Sequence, residues 1–212
     1  MFESRRDAGR RLGEALSAYE GPDVVVLAIP RGGVEVGYHV AEKLKAPLST
    51  VIVRKLPLPD NPEAGFGAVA EDGSTSFVAQ MRRYVPARAA SAIIERQKRE
   101  VERRIAVLRK GRPLPEISGR TVILVDDGIA MGSTMRAAVM LCRNRKAGKV
   151  VAAAPVAGPS VAKELSRAVD DLVILVKPAF FRAVAQVYRN WYDVGDDEVI
   201  RFMQQRERYA SQ

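Results

Sequence analysis

Residues able to do chemistry concentrate in one string, where two aspartates follow an apolar run and precede a loop of small residues. Asp126 and Asp127 directly follow residues 121–125, and the loop after them leads into a helical pattern. Two adjacent carboxylates at the end of a buried strand need hydrogen-bond donors, a cation or ligand hydroxyls, because their desolvation is costly. The start of a helix offers free backbone N–H groups and a dipole that favours a phosphate. Together these features indicate a site for a sugar phosphate.

Other interpretations of this string fit it less well. A nucleotide-triphosphate P-loop needs four residues between its glycines and a lysine after the second. Here three residues separate Gly128 from Gly132, and Ser133 stands at the lysine position. The dinucleotide-binding fingerprint is absent from the string. The remaining alternative is an ordinary capped helix start, with Ser133 as the N-cap and both aspartates exposed.

A second loop of similar character follows residues 24–29, where Arg31 precedes the paired glycines Gly32 and Gly33. Paired glycines let the backbone approach a ligand closely, and an arginine offers a planar pair of donors to phosphate oxygens. The next apolar run, residues 49–53, leads into Arg54 and Lys55. Two adjacent cations repel each other unless an anion or carboxylates neutralise them. We therefore expect anion binding at both places.

The string resembles the phosphoribosyl pyrophosphate (PRPP) binding motif of type I phosphoribosyltransferases, with four apolar residues, two acids and a small-residue loop ending in Gly and Thr. The resemblance implies that Asp126 and Asp127 are catalytic residues that hold the ribose hydroxyls, directly or through a water bound to Mg²⁺. It implies that the following loop binds PRPP, with the 5-phosphate on residues 130–134. The implied PRPP-binding residues of this loop are Gly128, Ile129, Ala130, Met131, Gly132, Ser133 and Thr134.

In the resembled family, the loop corresponding to Arg31, Gly32 and Gly33 binds the pyrophosphate. A pair like Arg54 and Lys55 reaches the pyrophosphate as further catalytic residues, and a mobile loop then closes over the site. The resemblance thus implies a lid that begins with residues 56–63, which are too polar and Pro-rich for a helix, and a hairpin behind it over residues 65–73.

Further motifs extend the resemblance to a bacterial and archaeal branch of this family, including a tail with Phe181, Tyr188 and Glu198. This branch implies the fold but identifies no acceptor. Met131 stands where the phosphate loop usually has threonine, so one hydroxyl donor to the 5-phosphate is missing. Ala130 stands where the 6-oxopurine enzymes of the family have an acid, which makes hypoxanthine and guanine poorer candidates.

Five apolar runs predict strands buried on both faces, as in a parallel sheet. Helical patterns between most of these runs, and another over residues 3–19, predict an open, doubly wound, mostly parallel α/β sheet with helices on both faces. We expect one phosphoribosyltransferase-like domain over residues 1–212, with a core at 20–178, a flexible lid at 55–78 and a hood made from the N- and C-terminal segments. The predicted strands are residues 24–29, 49–53, 121–125, 150–154 and 172–176.

Positive charge concentrates in residues 81–113, which hold 11 Lys and Arg but 3 Glu in a chain of formal net charge +9. Ala87, Ile94, Val101 and Leu108 recur there every seven residues, which predicts a helix with one apolar stripe and a broad basic face. Such a face can bind nucleic acid, an anionic metabolite or an acidic partner, although most are simply solvated. The apolar stripe favours a homodimer.

Composition excludes several classes of protein. The only cysteine, Cys142, rules out an internal disulfide scaffold and a zinc site of several thiolates. No apolar stretch approaches the roughly 20 residues that span a bilayer, and the first residues lack the apolar run of a signal peptide. We therefore expect a cytoplasmic protein without a membrane partner. We also expect His39 on the surface of a helix and Cys142 as buried core.

The leading hypothesis is a Mg²⁺-dependent phosphoribosyltransferase that transfers the 5-phosphoribosyl group of PRPP to a nitrogenous base or related acceptor and releases pyrophosphate. No residue stands out as a general base. One alternative is a PRPP-sensing regulator without turnover that binds nucleic acid through the basic helix, and another is a structural subunit with a vestigial site. Aromatic residues near the C-terminus either line an acceptor pocket or pack the last helix: Phe180, Phe181, Tyr188, Trp191 and Tyr192.

Overall fold

The computed structural model describes residues 1–210, so the last two residues of the predicted domain, Ser211 and Gln212, lie outside the described residues. The strands belong to two separate sheets, one parallel and one antiparallel. In chain order they are β1 Val24–Ala28, β2 Leu48–Thr50, β3 Val53–Leu58, β4 Asn61–Ala70, β5 Thr75–Phe77, β6 Thr121–Val125, β7 Lys149–Val156 and β8 Asp171–Val176.

The main sheet has the strand order β2-β1-β6-β7-β8, and every neighbouring pair in it is parallel. β1 pairs with β6 from Val24 opposite Thr121 to Ala28 opposite Val125. In the sheet, β2 lies beside β1 on one side of this central pair, and β7 and then β8 lie beside β6 on the other. The loops after β1 and β6 therefore flank a crevice at the carboxyl ends of the strands, where open α/β sheets bind ligands.

Helices cover both faces of the main sheet, which confirms the predicted doubly wound α/β class. One face packs against α1, α2, α4 and α7, and the other against α5, α6 and the second sheet. No helix in the described part of the chain is long and apolar enough to cross a bilayer. The helices are α1 Arg5–Ala15, α2 Gly32–Lys43, α3 Ala79–Arg82, α4 Ala87–Arg109, α5 Ser133–Asn144, α6 Pro159–Leu165 and α7 Asp196–Ala210, with 3-10 turns at Ser17–Tyr19 and Val184–Val187.

The second sheet has the order β3-β4-β5 and replaces the predicted loop over residues 56–63. The predicted strand over residues 49–53 is also wrong at its end, because β2 stops at Thr50 and Val53 already belongs to the second sheet. That apolar run is continuous because the chain stays buried while it passes from one sheet to the other. Pro57 fits in a strand here because β3 is an edge strand whose register shifts on either side of Pro57.

The second sheet is firmly attached at its base. Leu56 and Phe66 pack with Val85 and Ile93 in a small apolar cluster between this sheet and α4. Glu71, at the turn after β4, forms a buried ion pair with Arg109 at the end of α4.

The Glu71–Arg109 pair joins three parts of the fold. Nη1 of Arg109 donates to Oε1 of Glu71 at 3.0 Å and to the Thr50 carbonyl at 2.9 Å. Oε1 of Glu71 also accepts from the Ile52 N–H at 3.0 Å. The pair therefore ties the second sheet and α4 to the end of β2.

The basic segment forms α3 and α4 rather than one helix, with Pro86 at the N-cap of α4. The predicted apolar stripe is wrong at its first two positions, since Ala87 is exposed and Ile94 only partly buried. The buried face instead includes Ala90 and Ile93 before it continues through Val101 to Leu108. The stripe rotates because the first half of α4 packs on the second sheet and its second half on the main sheet. The apolar stripe is therefore covered by the second sheet and the main sheet of the same chain and does not require a partner subunit. The homodimer stays a prediction.

His39 is buried, which contradicts the predicted surface position. It lies in α2 opposite α1, where Gly9 allows a close approach: a Cβ at Gly9 would lie 3.0 Å from the His39 Cβ. Burial lowers the pKa of His39, so the neutral imidazole is favoured. Cys142 lies in the core as predicted, and burial raises the pKa of its thiol to about 12.

We predict that Glu71→Ala lowers the free energy of unfolding by about 3–5 kcal/mol, because it leaves the Arg109 guanidinium buried without its carboxylate. Urea unfolding followed by circular dichroism measures the change. Glu95→Ala serves as the control, since Glu95 pairs with Lys98 on the exposed side of α4 and its loss should change stability by less than about 1 kcal/mol. Equal stabilities of the two variants would contradict the anchoring role of Glu71.

Candidate functional site

The loops after β1 and β6 touch each other at the crevice between those strands. The Ile29 N–H, just after β1, donates to the Val125 carbonyl at the end of β6 at 2.8 Å. A Cβ on Gly33 would lie 3.0 Å from the Asp126 Cα, and one on Gly32 would lie 1.8 Å from Oδ2 of Asp127. The glycines are needed here because any side chain would occupy the space of the aspartates. The fold thus brings together two of the motifs found in the sequence.

Asp126 and Asp127 both lie at the end of β6 with little solvent exposure. Oδ1 of Asp126 accepts from the Asp127 N–H at 2.9 Å. Burial raises the pKa of Asp126 well above its usual range, and the nearby charge of Asp127 raises it further. The exposed aspartates of the capped-helix alternative are therefore not found. A ligand that donates hydrogen bonds, or a cation, would favour the ionised form of Asp126.

Arg5, at the start of α1, neutralises the second aspartate. Its Nε lies 2.8 Å from Oδ2 of Asp127, and the two side chains are 3% and 14% exposed. Nη1 of Arg5 donates to the Tyr192 carbonyl at 3.0 Å, and the guanidinium carbon lies 4.0 Å from the centre of the Trp191 ring. The ring adds a cation–π contact to the ion pair. Arg5 is thus held by the C-terminal part of the chain while it contacts the acidic pair.

The N-terminal residues and the segment before α7 form a cap beside the crevice. The Phe2 N–H donates to the Val187 carbonyl at 2.7 Å, and the Arg189 N–H donates to the Phe2 carbonyl at 2.9 Å. The Tyr188 hydroxyl donates to the Asp127 carbonyl at 2.6 Å. These contacts attach both terminal segments to the loop that bears the aspartates.

The loop after β1 presents the start of α2 to the crevice. Arg31 is the N-cap of this helix, and the first N–H groups of any helix have no partner inside the helix. The Arg31 side chain is partly exposed, and its Nη1 lies 3.9 Å from Oδ1 of Asp196 at the start of α7. That long contact leaves most of the donors of Arg31 available for an anion.

The loop after β6 divides into a buried and an open part. Gly128 is buried against Val184, and Ile129 is a core residue whose N–H donates to the Val156 carbonyl at 2.8 Å. Ala130 and Met131 are exposed, with Met131 at 41%.

Gly132 then ends this loop as the N-cap of α5, with φ +72°. A side chain there would be strained by the backbone, and its Cβ would lie 2.8 Å from Cγ1 of Val161. Ser133 begins the helix rather than capping it. The free amides at the start of α5 therefore come soon after the open part of the loop, residues 130–131.

Arg54 and Lys55 differ from the predicted arrangement, because they lie inside β3 rather than at a strand tip. Neighbouring residues of a strand point to opposite faces, so the two cations do not act side by side. Nε of Arg54 donates to Oε1 of Gln97 in α4 at 3.2 Å, whereas the Lys55 side chain lies against Gly65 of β4. Burial lowers the pKa of Arg54, and the charges of Arg104 and Arg31 are among the further causes. Arg54 is therefore the member of the pair close to the β1 loop.

Comparison with known proteins identifies the family. The family model for the phosphoribosyl transferase domain matches residues 3–189. The chain belongs to the phosphoribosyltransferase family. It is 41% identical over 210 residues, 98% of its length, to a Mycobacterium tuberculosis protein whose name assigns it to the phosphoribosyl transferases. This chain spans about half the length of that relative, 47%.

A solved structure gives the same picture for the fold. The crystal structure of the protein TT1426 from Thermus thermophilus superposes with a TM-score of 0.80 at 36% identity, covering 96% of this chain and 98% of that one. The type I phosphoribosyltransferase fold expected from the motifs is therefore confirmed.

Two residues near the acidic pair in this family member, Arg5 and Asp196, were not predicted as site residues from the sequence. Arg5 lies 122 residues before its partner Asp127, and Asp196 lies in the tail. The apolar face of the first helix predicts how that helix packs but says nothing about the polar residue at its start. The sequence left the C-terminal aromatic residues open between an acceptor pocket and helix packing. In the structure Trp191 and Tyr192 lie against the Arg5 guanidinium.

We predict that PRPP with Mg²⁺ raises the melting temperature of the protein, and that Gly32→Ala abolishes this rise because the new Cβ would displace Asp127 or Arg5. Differential scanning fluorimetry measures the shift. Gly21→Ala is the matched control, since a Cβ at Gly21 meets nothing within 4 Å, and it should retain the full shift. A full PRPP shift in Gly32→Ala would show that the contact between the two loops does not matter for binding.

We predict that Arg5→Met lowers the free energy of unfolding by about 3–5 kcal/mol, because it leaves two nearby carboxylates without their buried cation. Millimolar Mg²⁺ should then raise the melting temperature of the variant more than that of the unmodified protein. Arg5→Lys keeps the charge and should recover part of the stability. If Arg5→Met melts like the unmodified protein, Arg5 does not compensate the acidic pair.

Proposed function

We propose that this family member transfers the 5-phosphoribosyl group of PRPP to a nitrogenous base or related acceptor and releases pyrophosphate. The observation that carries the proposal is the contact between the β1 loop and the β6 loop, which sets a glycine-lined helix start against two aspartates. Membership of the phosphoribosyltransferase family supports PRPP-dependent transfer in general.

The ribose would be held by the acidic pair. Asp126 and Asp127 have carboxylate oxygens that can accept hydrogen bonds from two neighbouring hydroxyls. Only one N–H, that of Asp127, donates to Asp126 among the described residues, so Asp126 has capacity for a ligand donor. Arg5 keeps one oxygen of Asp127 fixed, which orients the carboxylate before the sugar arrives.

Each phosphate group of PRPP would meet the start of a helix. The 5-phosphate would bind the amides at the start of α5, with the hydroxyls of Ser133 and Thr134 in place of the threonine that Met131 replaces. The pyrophosphate would bind the amides of Gly32 and Gly33 together with the Arg31 guanidinium. Arg54 would add positive charge from the direction of β3.

The acidic pair also fits Mg²⁺. The described residues contain no group of three or more His, Cys, Asp or Glu side chains able to enclose a metal ion. Mg²⁺ does not require one, because it keeps several waters and binds through one or two carboxylates together with substrate oxygens. The raised pKa of Asp126 marks negative charge that the protein leaves partly uncompensated. Asp126 and Asp127 would hold the ion through water, and the ion would neutralise charge on the pyrophosphate.

In the proposed reaction, the bond from carbon 1 of the ribose to the pyrophosphate oxygen breaks and a bond from carbon 1 to the acceptor nitrogen forms. The electron pair of the broken bond leaves with pyrophosphate, and the acceptor N–H proton passes to water. Positive charge develops on the sugar near Asp126 and Asp127, while negative charge develops near Arg31 and Arg54. Positioned charges of this kind stabilise such a transition state without a protein nucleophile.

The hairpin of β3 and β4 would serve as the lid, closing over PRPP to keep competing water out. Its base is fixed by Glu71 and Arg109, whereas Pro59, Asp60 and Asn61 at its tip are exposed. A hinge would then lie between the anchored base and the exposed tip.

We predict that Asp126→Asn and Asp127→Asn each lower kcat by about 100-fold or more, because each removes charge that stabilises the sugar in the transition state. Pyrophosphate release from PRPP with Mg²⁺ and a panel of nitrogenous bases measures turnover. Asp23→Asn, an exposed site before β1, is the matched control and should keep full activity. PRPP binding without turnover for any acceptor would favour a PRPP-sensing regulator. Failure of PRPP to raise the melting temperature would favour a vestigial site.

A further inference from the structure

A strongly cationic groove lies between α4 and the second sheet. It is lined by four arginines with a single carboxylate, and its volume of about 450 Å³ falls within the roughly 300–1,000 Å³ of small-molecule sites. The lining residues are Arg54, Arg96, Gln97, Arg99, Glu100 and Arg103.

The one carboxylate of the groove is already used within the protein. Glu100 accepts two hydrogen bonds from Arg103, at 2.8 and 2.9 Å, and one from Arg104 at 3.1 Å. The hydrogen bond from Arg103 is the largest cause that lowers the pKa of Glu100 to about 2. Among the side chains that the structure describes, Arg96 and Arg99 form no ion pair or hydrogen bond with another side chain, and both are exposed. The groove therefore carries positive charge that the protein does not balance.

Arg54 distinguishes the groove from an ordinary solvated helix face, because part of the uncompensated positive charge is buried. Its side chain is partly buried, and its Nε donates to the neutral amide of Gln97 rather than to a carboxylate. Burial first, and then the charges of Arg104, Arg103 and Arg31, lower the pKa of Arg54, with Glu100 alone opposing them. Guanidinium groups crowded in this way repel one another unless an anion lies among them.

The groove lies beside the proposed pyrophosphate loop but is formed by other elements. Arg31 of that loop is close enough to affect Arg54, and Arg31 also approaches Asp196. Arg96, Arg99 and Arg103 come from α4, whereas the crevice is bordered by the loops after β1 and β6. The groove is thus adjacent to the proposed PRPP site, with Arg54 at the boundary between them, and its other arginines come from outside the PRPP loops.

We propose that this groove is a second anion site, which binds the phosphate chain of a ligand other than PRPP through Arg96, Arg99 and Arg103, while Arg54 beside them serves the proposed PRPP site. A chain of two or three phosphates matches the site because each guanidinium offers paired donors to phosphate oxygens. The ligand is either an inorganic polyphosphate or a nucleoside polyphosphate, which share this chemistry. Nucleic acid fits less well, since no aromatic residue lines the groove to stack on a base.

The test measures binding of tripolyphosphate and of ATP by isothermal titration calorimetry, with PRPP absent or saturating. We expect tripolyphosphate to bind in both conditions, and Arg96→Gln/Arg99→Gln to weaken it by about tenfold or more. Lys98→Gln removes a charge from the same helix outside the groove and should change the affinity by less than about twofold. Tighter binding of ATP than of tripolyphosphate would identify a nucleoside polyphosphate, and equal or weaker binding an inorganic chain.

Several outcomes would overturn the second anion site while leaving the proposed phosphoribosyl transfer intact. Displacement of tripolyphosphate by PRPP would make the groove part of the PRPP site. Equal losses in the Lys98→Gln and double variants, or tight oligonucleotide binding with a steep salt dependence, would indicate a general basic surface. Loss of PRPP binding in the double variant would also count against a separate site. If PRPP itself never binds but tripolyphosphate depends on Arg96 and Arg99, the groove stands and the proposed function fails.

Discussion

Burial of two neighbouring carboxylates, which also repel each other, is the constraint around which this site is built. Asp126 and Asp127 end a strand that is buried on both faces, so water compensates their charge only in part. One buried cation, Arg5, pairs with Asp127, while the pKa of Asp126 stays raised. A site that compensates one of two charges is ready for a ligand that supplies the rest, either as hydroxyl donors or as a cation.

The need to hold Arg5 in place explains the terminal segments. An isolated arginine at the start of a helix would be mobile, but Arg5 donates to the Tyr192 carbonyl and lies under the Trp191 ring. The tail itself is paired with Phe2 and attached to the Asp127 carbonyl by Tyr188. The first and last thirds of the chain therefore meet at the acidic pair. A change in the tail is expected to alter the site through Arg5 even where it contacts no ligand.

The sequence predicted those parts of the structure that depend on local pattern. Apolar runs identified the five strands of the main sheet, and the motifs at Asp126 and Gly32 identified the two loops that meet in the crevice. The sequence predicted a hairpin over residues 65–73, within β4 and the turn to β5, but missed β3. Pro57 and the polar residues near it suggest a loop, and only an edge position makes them compatible with a strand. His39 was misplaced because its burial depends on Gly9 of another helix. Arg5 could not be paired with Asp127 by any pattern, because tertiary contacts alone join them.

The crevice is acidic at one end and cationic at the other, and this polarity would set the orientation of a bound substrate. The end of β6 is acidic, whereas Arg31, Arg54 and the groove of α4 make the opposite side cationic. A ligand with hydroxyls at one end and phosphates at the other would be oriented by this field before any contact forms. In the proposed reaction, the same field would separate the charges that develop, since the sugar becomes positive and the leaving group negative. The basic segment, for which the sequence left a solvated face, a metabolite, a partner or nucleic acid open, therefore adds positive charge beside the candidate site through its position against β3.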